Sequence, residues 1–124
     1  MPDKPTRTEI VVDPPATEEQ VDLFRRAMKT LSGKWKIEIL WHLSFRKRRF
    51  GELRRCLPGI TQHMLTRRLR ELEEDGLITR TVFPEVPPRV EYELSQATVE
   101  FSTMFEAMMA WAAANLDESP GSAK

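Results

Sequence analysis

One cysteine and two histidines are all the thiol and imidazole in this 124-residue chain. A lone Cys56 excludes an intramolecular disulfide framework and a cysteine-rich metal centre. His42 and His63 are too few for a dedicated zinc site. The five glycines form no phosphate-cradling loop, and no nucleophile stands in a pattern with a base and an orienting group. The chain is therefore not expected to be an enzyme, and no cofactor is expected. No apolar run is long enough to cross a bilayer and no leader pattern opens the chain, so a cytoplasmic protein without a membrane partner is expected. The length suits one domain with a modest core.

Net charge is also lacking, with 19 basic and 19 acidic residues, but the signs are segregated. Between Arg25 and Arg89 lie 16 Lys and Arg against 7 Asp and Glu, a local excess of nine. The other 12 acids sit toward the two ends with 3 basic residues. A basic centre between acidic flanks suggests a polyanion-binding face; a solvated mixed-charge surface is the alternative.

Residues 1–16 carry four prolines and little periodicity and read as a flexible arm. Thr17-Glu18-Glu19-Gln20 fits a capping box, with Thr17 accepting a backbone N–H and Gln20 reaching back. A helix follows, with Val21, Phe24, Met28 and Leu31 on its apolar stripe, ending near Ser32-Gly33. A second, from about Lys34 to Leu43, has apolar residues on most sides and is expected to be buried on more than one face. Arg46-Lys47-Arg48-Arg49 reads as a loop or helix edge. A short helix spans Phe50 to Leu57 and stops at Pro58-Gly59. Thr61 is placed to cap the next helix, and Gly76 stands where a C-terminal glycine belongs.

Leu77 to Phe83 and Arg89 to Leu94 read as strands. Between them Pro84-Glu85-Val86-Pro87-Pro88 makes a stiff loop, because proline cannot donate to a sheet ladder. Ser95 is expected to cap a last long helix carrying Phe101, Met104, Phe105, Met108, Trp111 and Ala112. The tail after Asn115 reads as frayed, so the domain is bounded at 17–115, with 116–124 a flexible tail. This order is that of a mainly α, α+β fold, a winged helix-turn-helix whose wing is the proline-tipped hairpin.

On the helix after Thr61, Leu65, Leu69 and Leu72 recur at i, i+4 and i+7 and face the core. Opposite lie His63, Arg67 and Arg70, with Gln62 and Thr66 on the shoulder. None is acidic; Glu71, Glu73, Glu74 and Asp75 fall in the last turns. That asymmetry fits a helix entering a DNA major groove N-terminus first, where Arg pairs with guanine and Gln with adenine. An amphipathic surface helix with no ligand is the alternative. Arg89 at the wing's base and Arg80 on its first strand are candidates for phosphate or the minor groove. Arg89 is equally well read as a structural partner of Glu85 or Glu91. Arg48 and Arg49, with Arg46 and Lys47, suit phosphate contact.

Three stretches carry a resemblance: GKWKIEILWHL, RRFGELRRCLPGITQHMLTRRLRELEEDGLI and PEVPPRVEYELS. Over residues 23–112 the chain closely resembles the HxlR-type subfamily of MarR-like transcriptional regulators. The resemblance implies a homodimeric regulator of double-stranded DNA on an inverted-repeat operator, with the first and last helices building the dimer interface. The interface residues expected from it are Phe24, Met28, Trp41, Phe101, Met104, Phe105, Met108 and Trp111; an internal core helix is the alternative for the last stripe. Two departures matter. Asp22-Leu23 stands where many members carry a sensing cysteine, so that switch is absent; Cys56, at i+3 from Leu53, is expected to pack inward, with redox sensing the lesser reading. Leu94-Ser95-Gln96-Ala97-Thr98 lacks the family's usual glycine.

Two functions from different classes stay in play: a sequence-specific DNA-binding regulator, activator or repressor, and a winged-helix module that holds a protein partner. The methionines, with Trp41 and Trp111, leave open a small apolar effector.

Overall fold

The computed structural model describes residues 15–117. The flexible arm and tail expected at the ends fall largely outside them. The described chain forms two units, one holding α1 (Glu18–Leu31) and the other everything from Ser32 onward.

In α1 the capping box is present: the Thr17 N–H donates to Gln20 Oε1 at 2.9 Å and the Gln20 N–H to Thr17 Oγ1 at 3.0 Å. Glu18 and Glu19 in the first turn and Lys29 in the last complement the helix dipole.

The second unit runs α2 (Lys36–Phe45), β1 (Arg48–Arg49), α3 (Phe50–Cys56), α4 (Gln62–Glu74), β2 (Ile78–Phe83), β3 (Arg89–Leu94), a 3-10 turn at Gln96–Thr98, and α5 (Phe101–Asn115). The antiparallel sheet has the order β1-β3-β2. Its two-residue first strand corrects the reading of Arg46 to Arg49 as loop or helix edge. Arg48 stands opposite Tyr92 and Arg49 opposite Glu91, a pairing between segments some forty residues apart that local pattern does not reveal.

The core is one apolar cluster: Ile39, Leu40 and Leu43 of α2, Leu53 of α3, Leu65, Leu69 and Leu72 of α4, Ile78, Tyr92 and Phe105, with Leu57 and Ile60 from the turn. Each such aliphatic side chain contributes about 1.5–3 kcal/mol by leaving water. The three α4 leucines are those the i, i+4, i+7 spacing selects.

Helix ends follow local chemistry. Thr61 Oγ1 accepts from the Met64 N–H at 3.0 Å. At the other end Gly76 adopts φ +79°, the Gly76 N–H reaches Glu73 O at 3.0 Å and the Leu77 N–H reaches Leu72 O at 2.9 Å. This is a Schellman stop, and it aims the chain directly into β2.

Ser95 departs from expectation. It precedes the 3-10 turn, and its hydroxyl donates to Gly76 O at 2.7 Å instead of capping a helix. Thr98 Oγ1 likewise donates to Leu77 O at 2.7 Å. These bonds tie the foot of the hairpin, and α5 starts only at Phe101.

Candidate nucleic-acid interface

The α3–turn–α4 unit is built by its turn. Leu57 and Ile60 are buried, while Pro58 and Gly59 are exposed and Gly59 takes φ +93°, open to glycine without strain. With Leu65, Leu69 and Leu72 inward, α4 leaves Gln62, His63, Arg67 and Arg70 exposed and Thr66 half-buried. The structure brings four of the five expected reading residues, His63, Thr66, Arg67 and Arg70, together with Glu71 around a groove of about 330 Å³. Gln62, beside Thr61 in the first turn, does not line it.

Glu71 is the organising acid that the sequence pattern missed. Its Oε1 accepts from Arg68 Nη1 at 2.7 Å and lies 3.7 Å from Lys36 Nζ, while Oε2 is 3.5 Å from Arg67 Nε. The Arg68 hydrogen bond, reinforced by these cations, holds the Glu71 carboxyl below the usual carboxylate range. Arg68 also donates from Nε to Lys34 O at 2.9 Å. That bond braces the turn before α2, where Trp35 sits at φ +82°, a conformation that costs a non-glycine residue about 1–2 kcal/mol. The i, i+3 spacing of Arg68 and Glu71 was legible. The reach to Lys34, 34 residues away, was not.

On the wing, register decides which arginine is available. Thr79, Thr81 and Phe83 share one sheet face with Glu93, Glu91 and Arg89. There the Arg89 guanidinium lies 3.8 Å above the Phe83 ring, donates to Glu85 Oε2 at 2.8 Å and to Glu91 Oε2 at 2.6 Å. Of the two readings of Arg89, the structure shows the partner of Glu85 and Glu91. Lys47 approaches Glu91 at 3.4 Å, and Arg46 approaches Glu52 at 3.4 Å. Arg48 turns inward, its Nε donating to His42 O at 3.1 Å, whereas Arg49 is exposed.

Arg80 follows Ile78 on the opposite face, across from Tyr92. With Phe50, Thr66, Leu69, Arg70, Glu73 and Tyr92 it lines a cleft of about 420 Å³ between α4 and the hairpin.

The expected interface residues divide. Phe105 is only 3% exposed and belongs to the protomer core, edge-on to Phe101 at 6.3 Å. Of the two readings of the α5 stripe, interface or internal core, Phe105 takes the core one: the stripe is wide enough that one edge of it packs inward, toward α2. Met104, Met108 and Trp111 stay exposed, with Trp111 at 58%. Phe101 and Trp41 are half-buried. A groove of about 250 Å³ between α2 and α5 is lined by Trp41, Phe45, Phe105, Met109 and their polar neighbours. On α1, which has no buried residue, Phe24 and Met28 are exposed. Cys56 is half-buried rather than fully inward. Among the described residues no helix is long and apolar enough to cross a membrane.

The chain thus carries a helix-turn-helix with a wing folded beside its second helix, and the model of the HxlR-like helix-turn-helix family matches residues 30–120. The chain belongs to the HxlR-like family. It is a transcriptional regulator with a winged helix-turn-helix DNA-binding fold. The HTH-type transcriptional regulator YtcD of Bacillus subtilis is 46% identical over 94 residues, 76% of this chain and 75% of that protein. A crystal structure of a regulator of that name aligns at TM-score 0.71 and 45% identity, covering 77% of this chain and 98% of the crystallised one. An HTH-type regulator of Methanothermobacter thermautotrophicus is 49% identical over 85 residues, 68% of this chain and 65% of that protein. A MarR-family regulator of Enterococcus faecalis V583 aligns at TM-score 0.68 and 39% identity, covering 83% of this chain and 93% of its own.

Proposed function

We propose that this HxlR-like protein acts as a homodimer, reading an inverted-repeat operator with one α4 per half-site. The observation that carries the reading is the exposed, acid-free start of α4, where Gln62, His63 and Arg67 project beyond a leucine-packed inner face. The helix N-terminus adds partial positive charge there. Glu71 braces Arg67 from one turn below, so the guanidinium is partly preorganised before it meets a base edge. Two copies are supported by the unpaired apolar stripe of α5 and, separately, by that of α1. The groove between α2 and α5 supports a small apolar effector as the controlling ligand.

Selection from random duplexes by the purified protein, scored at two salt concentrations, tests this. The expected winner is an inverted repeat whose half-sites lie about one helical turn, ~34 Å, apart. Binding should weaken steeply with salt. Arg67→Ala should cost about 1–3 kcal/mol and relax preference at one base pair per half-site. Unchanged specificity in that variant would remove Arg67 from the reading face. Capture of a protein partner with no duplex binding at any salt would favour the interaction-module reading instead.

A further inference from the structure

We propose that Arg70 of α4 and Arg80 of β2 form a two-armed clamp for a single backbone phosphodiester, seated in the cleft between the recognition helix and the wing. The inference rests on the proposed operator binding and changes the expected role of Arg70 from base reader to phosphate holder.

Among the arginines of α4 and the hairpin, partnering sets these two apart. Arg67 and Arg68 meet Glu71, and Arg89 meets Glu85 and Glu91. Arg70 and Arg80 make no ion pair or hydrogen bond to any described residue, yet both line the same cleft. Their convergence is fixed by two periodicities. Thr66, Arg70 and Glu73 follow one another at i, i+4 and i+7 on the flank of α4 beside its leucine stripe. Arg80 follows Ile78 at the strand period of two and so lies on the face that Ile78 buries against the core. Two guanidiniums left facing one cleft repel each other unless an anion or water lies between them. Arginine's planar fork fits the oxygens of a phosphate.

Charge narrows the class of anion. Glu73 also lines the cleft, so two guanidiniums and one carboxylate leave a single net positive charge. That matches a monoanionic phosphodiester better than a free phosphate dianion. Leu69 and Phe50 supply an apolar wall, which strengthens the attraction by excluding water from one side. Position agrees: with α4 in a major groove and the hairpin toward the adjacent minor groove, the strand dividing the two grooves crosses between them.

The test uses the full chain and the operator recovered by selection, with single phosphodiesters replaced by neutral methylphosphonates. In the wild type, the linkage in each half-site that seats in this cleft should be among the sensitive ones, losing about tenfold in affinity. Arg70→Ala and Arg80→Ala should each lose about tenfold on the unmodified operator, keep the ranking of base substitutions, and become indifferent to methylphosphonate at that same linkage. Both side chains are exposed, and circular dichroism checks that each variant is folded. Glu73→Gln should tighten binding severalfold on every duplex. A changed base preference in Arg70→Ala overturns the assignment, and so does loss of sensitivity at different linkages in the two variants. Either result leaves operator binding itself intact. A wild type that binds no duplex instead sinks the proposed function and the clamp with it.

Discussion

Arg89 shows how one residue's role is set by its register. Facing Phe83 across the hairpin, its guanidinium covers the ring at 3.8 Å while the two carboxylates take up its donors. The Arg89 hydrogen bond holds the Glu85 carboxyl below its ordinary range. For Glu91, burial pushes the carboxyl up, but the bonds from Arg89 and Lys47 outweigh it and the result is again lowered. Carboxylates depressed in the folded state stabilise it above their unfolded value and lose that contribution as pH falls through the folded one. The wing tip should therefore be insensitive between pH 5 and 8 and loosen below about pH 4.3. Hydrogen exchange at the Thr81 and Glu91 amides, a hydrogen-bonded pair in the same phase as Leu77 and Ser95, reads this directly. Arg89→Ala should speed their exchange on the order of tenfold at neutral pH, and Arg89→Lys should not restore protection, because an ammonium cannot serve two carboxylates from above a ring.

His42 titrates in a different window. Burial lowers its pKa first, Arg48 lowers it further, and Glu38 opposes them. Folding then favours the neutral ring, so the contribution is present above about pH 6.5 and is lost as pH falls toward the folded value. Thermal melts should show a decline in stability beginning just below pH 6.5, and His42→Gln should flatten that part of the profile without touching the acid limb.

At the scale of elements, α4 is specified at both ends by chemistry within a few residues. Thr61→Ala should cost about 1 kcal/mol in urea unfolding, since it strands the Met64 N–H. Gly76→Ala should also cost about 1 kcal/mol. A Cβ there meets nothing within 4 Å, so the penalty is the left-handed φ of +79° alone, and Gly76→Asn should recover part of it. These caps, like the Thr17–Gln20 box, were legible because their partners lie three or four positions away. Ser95 shows the converse. A serine before a helix looks like a cap, but its hydroxyl serves a carbonyl 19 residues back, at the foot of the hairpin. The same logic separates Arg68 from Arg67. Both sit near Glu71 in sequence, and only folding brings Lys34 O to Arg68.

At the scale of the whole molecule, α5 carries more apolar surface than the fold of this chain buries. Phe105 fills the core and Trp111, Met104 and Met108 do not. Phe105→Ala should destabilise the fold by about 3–5 kcal/mol. If the proposed dimer forms through α5, Trp111→Glu should leave the chain folded but shift sedimentation from dimer to monomer, with operator affinity falling on the order of a hundredfold as the second half-site is lost. A stable Trp111→Glu dimer would place the subunit contact elsewhere.

By itself the sequence determined the winged helix-turn-helix order of elements, the inner face of α4, its caps and the proline-stiffened hairpin. Each of these follows from interactions within one helical turn or one strand period, where spacing along the chain equals spacing in space. Only the tertiary structure decided that Arg48 and Arg49 form a strand, that Phe105 faces inward, and that Arg70 and Arg80 share a cleft. Those outcomes depend on cross-strand register and on which flank of a helix meets which sheet face. Both are set by packing the entire core together, so no local window of residues contains them.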